Sequence, residues 1–490
     1  MDYLRLLEVL VPDVIVLVTL FVALGFDYGK LKGATLELRN RCVANIVSAG
    51  LILAVLVTFS QWQGELIETI GEGQLVLNPL TLVFKCLLFG LTIIVVRFAS
   101  STSISEHVGE YYAMLLLATL GMGFLVTTRN LLLAFVALEL VSLSLYALTA
   151  FRRNSPSSAE AAIKYFAFGG LASAFLLFGL SYIYGVTNSL HFESLALVEK
   201  SSPLLFLGLL LVFVGLGFKV AVVPFHLWAP DVYQCAPTPV AGWVATGSKI
   251  ASLFLLLSIL KPVSENSALH VVVLPALSAI ASASMLIGNL GALRQRNLKR
   301  LLAYSGIANM GYLLVGTVAL SPDGFASSLF YVLIYSLANL GAFCVVGALC
   351  DHLGREAEID DFKGCWQRSP ALAFAFLFFF LSLAGIPPLA GFVGKYYLFF
   401  AAIGKGHQLG AGLGDGYYVL VGLALVMSVI SLYYYVRVLK AFLVAEGESD
   451  CSPKLDSMQL CLVYTLVGAV LFLGIFPGIV IDFLKATAAF

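Results

Sequence analysis

The chain has 490 residues, of which 60% are hydrophobic and only 11% charged, and its mean hydropathy is +0.97. Soluble domains carry closer to a quarter charged residues, and soluble chains beyond about 250 to 300 residues split into domains, so this composition excludes a soluble protein. The 28 basic and 28 acidic residues balance, which excludes a basic surface for nucleic acid. The lipid bilayer is therefore the expected solvent.

The cysteines and the N-terminus give no sign of a metal site or a signal peptide. The eight cysteines are scattered and form no CxxC pair, so we expect small buried apolar residues rather than zinc or iron–sulfur ligands. Met1 to Leu10 lacks the basic stretch and the small-residue cleavage site of a signal peptide, and is expected to start the mature protein.

Fourteen stretches are long and apolar enough to cross the bilayer as helices, which takes about 20 residues each. Alternating strand patterns are absent, and an open sheet cannot satisfy its backbone in lipid. The predicted fold is therefore an all-α polytopic membrane protein forming a single membrane domain. The approximate cores of its spans are 9–25, 42–59, 77–98, 111–127, 130–150, 158–184, 203–233, 239–260, 269–290, 298–320, 325–350, 370–404, 417–443 and 459–482.

The basic residues of the short loops predict the orientation. An external N-terminus places 17 of them, Lys299 included, on the cytoplasmic side and 6 on the other side. Both termini are therefore expected on the external side of a prokaryotic inner membrane.

Of the 28 basic residues, five lysines remain once those of the loops and span ends are assigned to the two sides, and these five are placed inside the membrane. A charge at the centre of a membrane helix costs about 2.5 to 3.5 kcal/mol, so each is a functional hypothesis. Burial also disfavours the charged form of an amine, which eases release of its proton. The five are Lys85, Lys164, Lys219, Lys249 and Lys395.

Glu139 is the acidic residue expected to act on these lysines. It lies nine residues after Asn130, which is about 13 Å into the helix and close to the middle of the bilayer. A carboxylate there stabilises a protonated lysine nearby, and weakening that pair favours release of the proton. A static buried ion pair is the alternative interpretation.

Lys219 precedes a break in the seventh span. Pro224 follows five residues later, then His226 and Pro230, and proline inside a membrane helix removes a backbone hydrogen bond and interrupts the helix. A lysine beside such a break is placed for conduction. His226 is either a proton relay, since imidazole titrates near neutral pH, or a hydrogen-bonded core residue.

The other lysines differ in their surroundings. Lys249 lies ten residues after Pro239, near the middle of the eighth span, and is predicted to be functional. Lys164 lies two turns into its helix, so it either assists proton transfer or extends toward the cytoplasmic side. Lys85 has no break or acidic residue near it in the sequence, so we expect no role in conduction.

Lys395 follows a second break, at Pro387 and Pro388 in the twelfth span. Pro224 and Pro387 lie 163 residues and five spans apart, which predicts two five-helix repeats of inverted topology, helices 4–8 and 9–13. The predicted parts of the domain are helices 1–3 (1–110), the first repeat (111–268), the second repeat (269–443) and helix 14 (444–490).

The order of these features resembles the antiporter-like subunits of respiratory complex I and the related Mrp-type cation/proton antiporters. The resemblance covers nearly the whole chain and rests on the glutamate of span five, the segment GFKVAVVPFHLWAPDVYQCAPTPVAG leading to Lys249, and the broken twelfth span. Within the family, GIPPLAGFVGKYYLF resembles the N-type chains, since M-type chains carry a glutamate where Lys395 stands and L-type chains continue into a long lateral helix.

The resemblance implies a subunit of a redox-driven proton pump, a translocase that couples quinone reduction to proton transfer. It implies no cofactor in this chain, with NADH, FMN, iron–sulfur clusters and quinone bound by partner subunits, and K-type and M-type subunits as neighbours. The residues implied in proton translocation are Glu139 and Lys219 as a modulating pair, Lys164 as an assisting group, Lys249 as the central relay, His226 as a bridge and Lys395 in the opposite half-channel.

Other classes of protein stay open at this point. A stand-alone Mrp-type cation/proton antiporter, or the equivalent subunit of a ferredoxin–plastoquinone complex, would share the buried lysines and the breaks. A structural membrane spacer explains fourteen helices but not five lysines inside them.

Overall fold

The computed structural model of the protein describes residues 3–63, 68–102, 105–152, 155–198, 202–445 and 455–488. Arg153, Lys200, Cys451 and Lys454, which entered the charge and cysteine arguments, lie outside these residues, as do both ends of the chain. Thirteen helices in the described part are long and apolar enough to cross a membrane. The predicted all-α membrane class is therefore confirmed.

The chain divides into two compact units, Met1–Lys219 with Cys235–Leu269, and Val220–Gln234 with His270–Phe490. The helices up to the middle of the chain are α1 (Tyr3–Tyr28), α2 (Leu36–Gln63), α3 (Pro79–Ala99), α4 (Val108–Thr127), α5 (Leu131–Thr149), α6 (Pro156–Thr187), α7 (Pro203–Val220), α8 (Trp228–Cys235), α9 (Thr238–Ala245) and α10 (Gly247–Glu265). The remaining helices are α11 (Ser267–Leu293), α12 (Leu298–Val318), α13 (Pro322–Leu353), α14 (Cys365–Arg368), α15 (Pro370–Ala384), α16 (Ala390–Leu409), α17 (Asp415–Leu443), α18 (Ser457–Ile475) and α19 (Pro477–Ala488).

Several helices begin where the sequence supplies a cap followed by proline. Asn78, Ser155 and Ser321 precede α3, α6 and α13, and each accepts a backbone hydrogen bond through its side chain. The next residue in each case is a proline, whose missing N–H needs no partner in the first turn of a helix. These starts agree with the predicted spans to within a few residues.

The structure contains a short β-hairpin that was not predicted from the sequence. Residues Glu68–Ile70 pair antiparallel with Leu75–Leu77, with Thr69 opposite Val76, in the connection between α2 and α3. These strands are three residues long, too short to show an alternating pattern in the sequence, and the hairpin does not alter the helical class.

Both predicted breaks are present. The seventh span ends with α7 at Val220, where Ala221 takes a left-handed φ of +62°, and the chain resumes as α8 at Trp228. The twelfth span consists of α15, ended by Gly385 at φ +82°, and α16, which starts at Ala390. The predicted inverted repeat that rests on these breaks stays a prediction.

Two further interruptions were not predicted. The eighth span is divided at Thr246 into α9 and α10, and the fourteenth is divided at Phe476 into α18 and α19. At Thr246 the side-chain hydroxyl donates a 2.7 Å hydrogen bond to the carbonyl of Gly242, which satisfies a backbone group that the interruption leaves unpaired.

The prediction that all cysteines are buried apolar residues is only partly right. Cys344 and Cys350 are buried free thiols, but Cys461 is exposed and Cys365 is disulfide-bonded. The sequence offered no close cysteine spacing from which a disulfide could be predicted.

Candidate functional site

Glu139 lies in the middle of α5, as the distance from its cap predicts. Asn130 accepts hydrogen bonds from the N–H groups of Leu132 and Leu133, at 2.9 and 3.1 Å, and so fixes the start of the helix. The Glu139 side chain is half-buried and accepts a hydrogen bond from the Ser173 hydroxyl of α6. Its carboxylate is therefore held by a neutral donor.

Lys219 lies one residue before the end of α7 and is only 4% exposed. Its Nζ lies 5.5 Å from the ring centroid of Tyr146 on α5 and 5.9 Å from that of Tyr165 on α6, within the range of cation–π attraction. In the described part of the chain, no group accepts a hydrogen bond from this amine. Glu139 interacts with its charge without forming a direct ion pair.

The position of the Tyr146 ring depends on Gly169 of α6. A Cβ atom at position 169 would overlap the Tyr146 hydroxyl, so only glycine leaves room for the ring. Tyr146 and Tyr165 also pack edge to face, with centroids 4.6 Å apart. Neither ring was predicted from the sequence, although Tyr146 follows Glu139 by seven residues and therefore lies on the same face of α5.

Lys164 has a different environment from the other predicted residues. Its Nζ lies 2.8 Å from the Glu160 carboxylate, one turn earlier on α6, and 42% of its side chain is exposed. The structure thus places Lys164 on a partly open surface of the isolated chain.

Lys249 is the third residue of α10 and is 1% exposed. It lies in the first turn after the interruption at Thr246, where Gly247 packs so closely on the Trp243 ring that a Cβ atom would overlap it. An ammonium group at a helix N-terminus faces the partial positive charge of the helix dipole. Lys249 is therefore buried beside a helix interruption, like Lys219. No interruption of this span was predicted from the sequence.

His226 lies in the segment between α7 and α8 and is buried. The segment is tied to α11 by a hydrogen bond of 2.9 Å from the Val223 N–H to the Ser284 hydroxyl. Among the described residues, none forms a hydrogen bond with the Nδ1 atom of His226. The second part of the broken span is anchored separately, since Arg300 of α12 lies 2.7 Å from Asp231 and 3.1 Å from Gln234 of α8.

Lys395 lies in the second turn of α16, just after the break of the twelfth span. Its Nζ lies 3.2 Å from the carbonyl oxygen of Ala384 and 3.2 Å from the Ser428 hydroxyl of α17. It also lies 4.8 Å from the centre of the Tyr312 ring on α12. A lysine predicted from the break alone is therefore surrounded by neutral polar groups.

Two sets of hydrogen-bonded polar side chains lie in the unit that contains Lys395. Asn289 of α11 donates to the Tyr312 hydroxyl at 2.9 Å and accepts from the Tyr434 hydroxyl at 3.1 Å. Asn309 of α12 belongs to the second set, whose members are Ser305, Asn309, Tyr331 and Tyr435. None of these groups was predicted from the sequence, although asparagines inside apolar spans are an available signal.

Lys85 has an acidic partner, contrary to the sequence expectation. Its Nζ lies 2.5 Å from the Asp13 carboxylate of α1, and the two side chains are 2% and 5% exposed. The two residues are 72 positions apart, so their pairing could not be inferred from local sequence. Lys85 is therefore part of a buried ion pair.

Lys299 was counted with the loop lysines, but it is buried in the first turn of α12. Its Nζ lies 2.7 Å from the Glu356 carboxylate. Lys299 is thus a fifth buried lysine among the described residues. No group of three or more His, Cys, Asp or Glu residues that could hold a metal ion occurs in the described ranges.

Comparison with known proteins identifies the family. Residues 128–420 match the family described as NADH:quinone oxidoreductase/Mrp antiporter, TM. The chain is 41% identical to the NADH-quinone oxidoreductase subunit N 2 of Acidobacterium capsulatum over 99% of each chain. It is 38% identical to subunit N of Nitrosomonas europaea over 90% of each chain.

Solved structures agree with this result. A chain of respiratory complex I from Thermus thermophilus with bound aureothin is 34% identical, with a TM-score of 0.80 over 96% of this chain and 98% of that one. A chain of the Mrp complex from Dietzia sp. has a TM-score of 0.83 at 22% identity, which shows the shared fold. The chain therefore belongs to the NADH:quinone oxidoreductase/Mrp antiporter family of membrane proteins, with the subunit N chains among its relatives, as the resemblance indicated.

Proposed function

We propose that the chain is a proton-translocating, antiporter-like membrane subunit of an NADH:quinone oxidoreductase (complex I) and couples quinone reduction to proton transfer. The observation that carries this proposal is the burial of Lys219, Lys249 and Lys395, each beside a helix interruption, in a chain of this family. Buried charges in membrane helices are costly, and broken helices expose polar backbone groups that serve ion sites.

The mechanism needs only single proton transfers. Protonated Lys219 is stabilised by Glu139 and by the rings of Tyr146 and Tyr165, and a change of charge near Glu139 releases its proton. Lys249 accepts a proton on its amine and passes it by way of His226 and bound water to Lys395, from which it leaves. Moving one charge across 100 mV takes about 2.3 kcal/mol, which a change of two pKa units, about 2.7 kcal/mol, supplies.

The surroundings of the subunit follow from the same proposal. NADH, FMN, the iron–sulfur clusters and the quinone are held by partner subunits, and K-type and M-type subunits are the neighbours in the membrane. The complex lies in a prokaryotic inner membrane, with both ends of this chain on the external side. Lys164 assists the relay from the cytoplasmic side.

The central test is Lys219→Ala in the complete complex, reconstituted into proteoliposomes. We expect normal assembly, loss of about nine-tenths or more of the proton pumping, and reduced quinone reduction, because a proton relay contributes at least this much. Lys440→Ala, at an exposed lysine near the end of α17, is the matched control and should pump normally. Normal pumping by an assembled Lys219→Ala complex contradicts the proposal.

Two variants of Glu139 test the modulating pair. Glu139→Gln should be nearly as severe as Lys219→Ala, since it removes the charge that acts on the lysine, whereas Glu139→Asp should be milder because it keeps the charge. If both Glu139 variants and Lys219→Ala pump equally, Glu139 and Lys219 do not act as a modulating pair. A purified chain that by itself exchanges cations for protons in liposomes would identify a stand-alone antiporter instead.

A further inference from the structure

A cleft in the second unit is lined by none of the proposed relay residues. It has a volume of about 350 Å³ and opens where α13 begins and where α16 and α19 end. Asp323, Lys405, Gln408 and Lys485 line it. The volume is at the small end of the range of pockets that hold small molecules, and the ends of membrane helices lie near the level of lipid headgroups.

Among the side chains that line the cleft, one positive charge is left uncompensated. Lys485 Nζ lies 2.8 Å from the Asp323 carboxylate, so these two side chains neutralise each other, and Asp482, which lies outside the lining, also acts on Lys485 rather than on Lys405. Lys405 forms no hydrogen bond or ion pair with any described residue of this chain. The cleft therefore attracts an anion, with Gln408 as a further donor.

An apolar face of α16 continues from the cleft. Phe392, Tyr396, Phe400 and Ile403 are 42%, 54%, 61% and 39% exposed. Their spacing of four, four and three residues places them on one side of the helix. Phe400 belongs both to this face and to the wall of the cleft, so the cationic and apolar surfaces are continuous.

We infer that this cleft binds the phosphate headgroup of an anionic phospholipid, with an acyl chain along the exposed face of α16. A cationic pocket joined to an apolar strip in the bilayer complements a molecule with an anionic head and an apolar tail. A free phosphate ion would use the cleft but not the strip, and a neighbouring subunit would cover both.

The test uses the complete complex in lipid nanodiscs with a photoactivatable phosphatidylglycerol probe, or the matching phosphatidylcholine probe, and maps the labelled peptides by mass spectrometry. The phosphatidylglycerol probe should label residues 400–408 and 481–485 more strongly than the phosphatidylcholine probe. Lys405→Gln should lower this labelling by about fivefold, since one basic residue near an anionic lipid surface contributes ~1 kcal/mol. Lys405→Arg should keep it, and Lys440→Gln should leave it unchanged.

Two more variants separate lipid binding from a packing role. Asp323→Asn should increase labelling, because it frees Lys485 to bind the headgroup, whereas a packing role predicts no gain. Phe400→Ala should reduce labelling by the lipid probe. The inference is overturned if both probes label equally, if Lys405→Gln has no effect, if millimolar inorganic phosphate abolishes labelling while Phe400→Ala does not change it, or if position 400 crosslinks to a partner subunit instead of lipid.

Discussion

Lys85 and Lys395 are buried to a similar extent, at 2% and 5% exposure, but their partners differ in kind. Lys85 is held by the Asp13 carboxylate at 2.5 Å, whereas Lys395 is held by a carbonyl and a hydroxyl at 3.2 Å and by the Tyr312 ring. Loss of a proton from Lys85 leaves a buried carboxylate without its counter-ion. Loss of a proton from Lys395 leaves only neutral groups, so burial alone does not mark a proton relay and the partners must be considered.

Two substitutions at Lys395 test the relay role directly. Lys395→Met keeps the length of the side chain but cannot bind a proton, and should lower pumping by about tenfold or more. Lys395→Glu should retain substantial pumping, because a protonatable group remains. Both are measured as proton uptake driven by quinone reduction in proteoliposomes. A Met variant that pumps normally while the Glu variant fails would show that Lys395 supplies shape or a fixed positive charge.

Loss of the ion pair between Lys85 and Asp13 should lower the stability of the complex rather than its proton pumping. Lys85→Met leaves Asp13 as an uncompensated buried charge, which costs about 3 to 5 kcal/mol and should lower the thermal midpoint of the purified complex. The double variant Lys85→Met, Asp13→Asn should recover most of this loss and should pump normally. If the double variant is stable but does not pump, the pair takes part in translocation and the contrast with Lys395 is wrong.

Lys219 provides a third kind of environment, with aromatic rings as partners. Gly169→Ala forces the Tyr146 ring away from Lys219 and should destabilise the chain by about 1 to 3 kcal/mol, with a several-fold loss of pumping. Gly170→Ala is the matched control, since a Cβ atom there meets nothing within 4 Å. Equal behaviour of the two variants in the pumping assay would rule out a role for the ring.

A smaller effect is expected at Tyr312. Tyr312→Phe keeps the ring near Lys395 but removes the hydroxyl that accepts a hydrogen bond from Asn289, a change of about 1 kcal/mol in the free energy of unfolding. Pumping should stay close to that of the unmodified complex. Tyr312→Leu also removes the ring and should pump less, so identical rates for the two variants would argue against a contribution from the ring.

The helices and the two proline breaks could be predicted because their signals are local. A run of about 20 apolar residues predicts a span, and the prolines beside Lys219 and Lys395 indicate the two interruptions. Proline alone is not sufficient, since Pro12, Pro262 and Pro275 lie inside continuous helices. The interruption at Thr246 contains no proline. It depends on the contact between Gly247 and the Trp243 ring and on a hydroxyl-to-carbonyl hydrogen bond, which become visible only in three dimensions.

Only part of the candidate site could be predicted, because the prediction relied on charged residues in apolar spans. A lysine in an apolar span is evident in a sequence, which is why Lys219, Lys249 and Lys395 were found. The partners of a lysine come from distant parts of the chain, as Asp13 does for Lys85 and as Tyr146 and Tyr165 do for Lys219. Lys299 was assigned to a loop because it lies near the end of a span, although Glu356 pairs with it in a buried position.

The contact between Gly169 and Tyr146 also limits how the sequence can change during evolution. A side chain at position 169 and a tyrosine ring at position 146 cannot occupy the same space. A larger residue at 169 therefore either displaces the Tyr146 ring from Lys219 or is accompanied by a smaller residue at 146. The two positions are expected to co-vary across descendants of this chain, and a tyrosine at 146 should be inherited together with glycine at 169.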